Sequence, residues 1–386
     1  MLDSKVNFHE IHHDNYHGVP VALQSPGKRT TIMKPLRITI VLPFPMLKPV
    51  GRAMNMYEYA NRFRERGHQV VVLHSTRHPF EPSGLSVWFK YLLYRIRRAG
   101  RPNWFVLHKA VKSLVVPSIT DKYVPDADII FSTWWQMAYA ISELSPAKGK
   151  PFNIIQYYET WDGHEERVHE SYTLPINHMV VSKYLEDIVM KHSGRRPLFV
   201  PSAVDTERFF VRQPFYSRKP ASILMLYSTE LRRGTKYGIE ALTKLREQVP
   251  SLTVSLFGVV EKPDLPPWMH YHYKPSNLPE LYNQHAIFFS PSLSEGWGLS
   301  PAEAMASGCA LVCTAIGGHP YAIDNETALT VTPKAVGEMI EKMKILVEDD
   351  NRRITLAKNG HDYLLKHFTF DVVIARLEEY FYGSLK

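Results

Sequence analysis

Apolar residues recur along this chain in two alternating rhythms, short β-branched runs and stretches with helical spacing. The first run, Leu36-Arg-Ile-Thr-Ile-Val-Leu42, ends at Pro43 and reads as a buried strand. A loop containing Gly51 follows, then a helix over 54–66 with Met56, Tyr59, Ala60 and Phe63 inward and Gly67 as its stop. The chain returns as a strand over 69–73, which completes a βαβ unit. Strand-like runs at 129–131, 152–156, 178–181 and 198–200 alternate with helical stretches such as 183–192. That alternation predicts an α/β fold with a doubly wound parallel sheet.

The segment from Pro201 to Pro220 is polar, proline-marked and without period, so it reads as a linker. Beyond it the rhythm starts again. Strands are expected at 222–227, 252–257, 287–289 and 310–313, with helices over 236–247, 279–284 and 301–307 between them. The whole predicts two Rossmann-like domains facing across a cleft. Residues 35–200 form the first and 201–367 the second, with a C-terminal helix in 368–386 packing back on the first. Residues 1–34 differ in kind: His9, His12, His13 and His17 are scattered among polar residues, and 25–31 reads Ser-Pro-Gly-Lys-Arg-Thr-Thr, so a disordered leader is expected.

Composition narrows the class without naming an activity. The 386 residues are 45% hydrophobic and 22% charged, the balance of a globular protein large enough for two cores. No apolar run reaches the roughly 18 residues a spanning helix needs. With no signal-like N-terminus, a cytoplasmic protein is expected. Cys309 and Cys313 are the two cysteines, and they read as small core residues. A formal charge of +8 favours anionic partners. Much of that charge falls in 86–112, where Lys90, Arg95, Arg97, Arg98, Arg101, Lys109 and Lys112 interleave with Trp88, Phe89, Tyr91, Leu92 and Trp104 without one acid. An interfacial helix on the anionic inner face of a membrane and a core-packed helix with a solvated basic face fit this equally well. No nucleic-acid module accompanies the charge.

Candidate chemistry concentrates in Glu295-Gly-Trp-Gly-Leu-Ser-Pro-Ala-Glu303. Ser300 is placed to cap a helix with Pro301 as its first residue, and Gly308 suits a left-handed stop. The unpaired N–H groups of a helix start, reached through Gly296 and Gly298, make an anion site. Glu303 has a plainer reading as the partner of Ser300 in a capping box. Glu295 has no helix to cap and no cation beside it in sequence. Two carboxylates at an anion site repel a phosphate unless they face hydroxyls, so a ligand with both phosphates and sugars is indicated. Gly-x-Gly-x-x-Gly, P-loop and Gly-x-Ser-x-Gly motifs are absent from the expected places. Asp126-Ala-Asp128 reads as a strand-entry turn, and neither a metal nor a cofactor is expected.

The run from Ser294 to Thr314 is similar to the Glu-x7-Glu signature of the family-4 retaining glycosyltransferases. Val200-Pro-Ser-Ala-Val-Asp-Thr206, Lys236-Tyr-Gly-Ile-Glu-Ala-Leu242 and Gly317-Gly318 extend the likeness over most of the chain. The resemblance implies a two-Rossmann, glycosyltransferase B fold and metal-independent transfer of a sugar from a nucleoside diphosphate to a glycan or lipid-linked acceptor, in cell-surface polysaccharide or glycolipid synthesis. It implies catalytic roles for Glu295, Lys236 and Arg232, with Arg233 the alternative arginine. Donor contacts would come from Glu303, on the ribose, and from Gly51, Gly296, Trp297, Gly298, Leu299 and Arg233. Where the family carries a histidine this chain reads Gln156-Tyr-Tyr-Glu-Thr-Trp161, which makes Tyr158 and Glu159 candidate acceptor or sugar contacts. A glutamate usual after the Gly-Gly pair is replaced near Tyr321. Two competing readings are a nucleotide-sugar epimerase of the same fold and a catalytically silent scaffold on a membrane surface.

Overall fold

The computed structural model describes residues 34–82, 84–97, 99–160, 163–261 and 263–386. The four leader histidines, Arg98 and Trp161 lie outside them. In chain order the first domain runs β1 (Arg37–Leu42), α1 (Gly51–Glu65), β2 (Gln69–Ser75), α2 (Leu85–Ile96), β3 (Lys112–Val116), β4 (Ile129–Thr133), α3 (Trp135–Ser142), β5 (Lys150–Ile155), α4 (Glu165–Ser171), β6 (Asn177–Val180), α5 (Lys183–Ser193) and β7 (Leu198–Phe199). The second runs β8 (Ser222–Leu226), α6 (Thr235–Gln248), β9 (Thr253–Gly258), β10 (Met269–Tyr273), α7 (Leu278–Asn283), β11 (Ile287–Ser290), α8 (Leu299–Ala306), β12 (Ala310–Thr314), β13 (Leu329–Val331), α9 (Val336–Glu348) and α10 (Asp350–His367), and α11 (Phe370–Ser384) ends the chain.

Both sheets are parallel throughout. The first has the order β3-β2-β1-β4-β5-β6-β7 and the second β10-β9-β8-β11-β12-β13. Central strands are buried on both faces, as the continuous apolar runs of β1 and β4 require. In each sheet the strand order reverses once, between β1 and β4 and between β8 and β11. At such a reversal the loops leaving neighbouring strands part to opposite faces and open a crevice.

The chain crosses between the domains twice, side by side. The outward strand of this crossing is joined to the returning one where Val204 N–H donates to the Phe368 carbonyl at 2.8 Å. The stretch read as a free linker is tied down by Arg218, which is buried and donates to the carbonyls of Ser307 at 2.5 Å and His285 at 3.1 Å. Helix α11 lies on the first domain, with the Phe381 ring 5.6 Å from Phe63, 5.8 Å from Phe131 and 4.9 Å from Phe152.

Three strands escape the sequence pattern: β3, β10 and β13. All are short edge strands, and β3 alternates exposed and half-buried positions before ending at the buried Val116. The basic segment over 86–112 is not one helix. α2 stops at Ile96, and the exposed Arg101 folds back along the chain to donate to the Val111 carbonyl at 2.7 Å. Asp128 pairs with Arg37 at 2.8 Å and Asp126 with Lys148 at 2.8 Å, as suits acids flanking a strand entry. Cys309 and Cys313 are buried and unbridged.

Replacing the fully buried Phe381 by Ala removes the ring that joins α11 to three aromatic residues of the first domain. A loss of about 3–5 kcal/mol is expected, read as a lowered urea midpoint for that domain.

Candidate functional site

The loops that leave the reversal-point strands come together between the two domains. From the second domain these are 227–234, after β8, and 291–298, after β11. The first is shaped by Gly234, whose φ is +63° and at which a Cβ would lie 2.0 Å from the Pro291 carbonyl oxygen. The Arg232 carbonyl accepts the N–H of Leu293 at 2.7 Å, which sews the two loops together. Arg233 is thereby placed to bond the Glu295 carboxylate directly, with Arg232 3.6 Å from its other oxygen and Ser292 O–H donating at 3.0 Å.

Glu295, 5% exposed, thus has two cations against it that are not its neighbours in sequence. They come from about sixty residues upstream in sequence, where no local reading finds them. Lys236 stands exposed on the first turn of α6.

The glycine loop departs from the expected capping. α8 starts at Leu299 with Gly298 as its N-cap, so Ser300 and Pro301 lie within the first turn and no capping box forms. The cause is the anchoring of Gly298: its N–H donates to Gly318 O at 2.9 Å and its carbonyl accepts Tyr321 O–H. Glu303 instead accepts the Tyr282 O–H at 3.0 Å. Burial raises its carboxyl to about 7 against the pull of that hydrogen bond.

A Cβ at Gly296 would lie 2.0 Å from the Gln156 carbonyl, and one at Gly298 within 2.8 Å of His319 and Tyr321. Both glycines are therefore demanded by packing as well as by any close approach. Trp297, expected among the donor contacts, turns its indole inward, 5.1 Å from Tyr321 and 5.9 Å from Phe368.

His319 was missed from sequence although it directly follows Gly317-Gly318. It is buried, bonds the Thr314 carbonyl through Nδ1 at 3.2 Å, and its Nε2 finds no partner among the described residues. The carbonyl can only accept, so Nδ1 carries the proton. Burial lowers its pKa, which leaves Nε2 an acceptor.

The first domain supplies the opposing wall. Gly51 opens α1, and a Cβ there would lie 3.8 Å from Leu299 Cδ1, so the starts of α1 and α8 face each other. Glu159 is buried, accepts the Trp135 N–H at 3.0 Å and is ion-paired with Arg52. Tyr158 joins another cluster, its O–H 2.7 Å from His169 Nε2 and 3.1 Å from Glu165, and is not gathered with Glu295. Its neighbour Tyr157 crosses the gap instead. The hydroxyl is 3.3 Å from Ser294 Oγ, and the ring centroid is 5.3 Å from Arg232 Cζ. Arg52 and Tyr157 escaped the sequence reading. The signal for Arg52 was a basic residue directly after the glycine that ends the β1 loop. Three arginines, two helix starts and two buried carboxylates make a gap that can hold an anion and meet hydroxyls beside it.

Two parallel doubly wound sheets with their reversal points apposed define the glycosyltransferase B architecture. Solved structures share it. HepE from Anabaena, crystallised with UDP-glucose, covers 90% of this chain and 100% of its own at a TM-score of 0.68 and 14% identity. Sucrose-phosphate synthase from Thermosynechococcus elongatus covers 90% and 98% at 0.66 and 14%. At such identity the likeness is one of fold.

Residues 207–363, the greater part of the second domain, match the family of glycosyl transferases group 1. Among its relatives is the N,N'-diacetylbacillosaminyl-diphospho-undecaprenol alpha-1,3-N-acetylgalactosaminyltransferase of Campylobacter jejuni, 30% identical over 44% of this chain and 47% of that protein. Another is the D-inositol 3-phosphate glycosyltransferase of Corynebacterium aurimucosum, 32% identical over 29% and 26%. The chain spans less than half the length of either relative.

Glu303 makes a pH-dependent contribution whose sign is fixed by its raised pKa. The fold prefers the protonated carboxyl, so this contribution is complete below the unfolded value of 4.5 and is lost as pH rises toward about 7. Relative to Glu303→Gln, the wild-type Tm should fall between pH 5 and 8 and level off above. Parallel profiles would show that Glu303 is not held neutral.

Proposed function

We propose that this chain is a retaining glycosyltransferase that moves a sugar from a nucleoside diphosphate to a glycan or lipid-linked acceptor in cell-surface polysaccharide or glycolipid synthesis. The observation that carries the reading is Glu295 clasped by Arg232 and Arg233 at the junction of the domains. In this reading Lys236 and the two arginines neutralise the diphosphate as the bond to the anomeric carbon breaks, and the start of α8 adds its N–H groups. Such fixed positive charge does the work that a metal ion does elsewhere, so transfer needs none. Glu295 faces hydroxyls of the donor sugar, and Glu303 the ribose. An open groove bordered by His272, Lys274 and Asn277 runs along α7, the helix whose Tyr282 bonds Glu303, and in this reading it takes the base. The Campylobacter relative, named for a sugar-diphospho-undecaprenol substrate, supports a lipid-linked acceptor.

Such an acceptor would be met at a membrane. No helix among the described residues is long and apolar enough to cross one. α2 instead presents Leu85, Trp88, Phe89, Leu92 and Ile96 to solvent, between 52% and 89% exposed. These residues follow helical spacing and form one stripe, beside Lys90, Arg95 and Arg97. This favours peripheral contact with an anionic cytoplasmic leaflet over the core-packed alternative, because Val87 is the one residue of α2 that is buried.

Free nucleoside diphosphate should appear only when donor and acceptor are both present, and the product should keep the donor's anomeric configuration by NMR. Sugar conversion without release would favour the epimerase instead. Glu295→Gln should lower turnover by about a hundredfold or more, on the scale of removing one group that acts on developing charge. Glu303→Ala should weaken donor binding by about tenfold to a hundredfold. Co-sedimentation with phosphatidylserine vesicles should be lost on replacing Trp88 and Phe89 by Ser or Arg95 and Arg97 by Gln. Retention by both variants would remove the membrane from the account.

A further inference from the structure

Arg52 has been given no particular ligand so far, yet its side chain is held from several directions. It follows Gly51 on the first turn of α1, with its side chain 24% exposed. Three contacts fix it. Its guanidinium pairs with Glu159, a carboxylate itself held by the Trp135 N–H. Its Cζ lies 4.4 Å from the centroid of Trp134, a residue kept at a φ of +71°. Its carbonyl accepts from Gln156 Nε2 at 3.3 Å. Backbone strain at a bulky residue such as Trp134 persists only where the surroundings impose it.

Across the gap stands Arg232, over the ring of Tyr157 and 3.6 Å from Glu295. Arg52 stands on the helix that follows β1 and Arg232 in the loop after β8, the reversal-point strands of the two sheets; Arg52 is paired with Glu159, and Arg232 with Glu230 at 2.5 Å and Glu295 at 3.6 Å. Their mutual repulsion is felt: Arg52 is lowered to about 10, first by burial and next by the charge of Arg232, and stays protonated at neutral pH. Two like charges brought near each other from opposite domains favour an anion that both can reach. Guanidinium forks suit phosphate oxygens.

We propose that Arg52 and Arg232, one from each domain, clamp a diphosphate between them, with Glu159 and Trp134 holding Arg52 in reach. The identity of that diphosphate as the donor's rests on the function proposed above. A prenyl diphosphate of a lipid-linked acceptor has the same chemistry, so the test includes both.

Calorimetric titrations of wild type, Arg52→Met and Arg52→Gln would use UDP, GDP, ADP, CDP and dTDP, their parent nucleosides, and geranyl diphosphate. Melting curves check folding, and the Gln variant keeps a polar group toward Glu159 should Met destabilise the site. Both variants should bind the preferred nucleoside diphosphate about tenfold or more weakly, with its parent nucleoside changed by no more than about twofold. If the loss falls on geranyl diphosphate alone, the clamp stands but the donor assignment is overturned. If wild type binds geranyl diphosphate and no nucleotide, the proposed function fails while the clamp survives through the variants' loss. Unchanged diphosphate affinity in a folded variant overturns the clamp, as does a wild type that binds no diphosphate at all.

Discussion

Burying a carboxylate between two domains is costly unless cations accompany it, and the pairing of Glu295 with Arg232 and Arg233 answers that demand here. The rest of the site is arranged around it. The Arg232 carbonyl that accepts Leu293 N–H aligns the loops after β8 and β11, and Gly234 is required because any side chain would strike Pro291. Gly318 must be glycine for a similar reason, since a Cβ there would lie 2.2 Å from the Glu295 carbonyl oxygen. A single charged cluster therefore sets the shape of three loops, and it does so where both sheets reverse their strand order.

The two crossings of the chain near Val204 and Phe368 fix how the domains meet. Trp297 and Tyr321 pack on Phe368 at the second crossing, so the glycine loop is buttressed by the segment that joins the domains. Function and assembly share residues in this way. Trp297 acts as a wedge under the loop, and the aromatic ring that instead reaches across the gap is Tyr157.

Central strands were legible in sequence because both their faces are buried and their runs are dense in β-branched and apolar residues, as in Leu36 to Leu42. β3, β10 and β13 were not, since an edge strand with one wet face carries too few apolar positions to stand out, and Met269-His-Tyr-His-Tyr273 shows why. Glu295 and Glu303 were found because glycines and a helix start surround them. Their partners were not, because Arg233 is 62 residues from Glu295 and Tyr282 is 21 from Glu303, separations that only folding closes. That Glu303 closes no capping box was also hidden from sequence. It follows from the anchoring of Gly298 by Tyr321, the residue found near the place of a family glutamate.

On the function proposed above, the apposed loops hold a diphosphate with a nucleoside attached. Thermal melting of the wild-type protein with each common nucleoside diphosphate, beside its parent nucleoside at equal concentration, tests it most directly. A ligand that binds the folded state alone raises Tm with the logarithm of its excess over Kd. At least one nucleoside diphosphate should raise Tm in a concentration-dependent way, and its parent nucleoside should do so far less. If no diphosphate moves the transition, or if the nucleoside matches it, the arginines around Glu295 do not bind phosphate and the claim is contradicted.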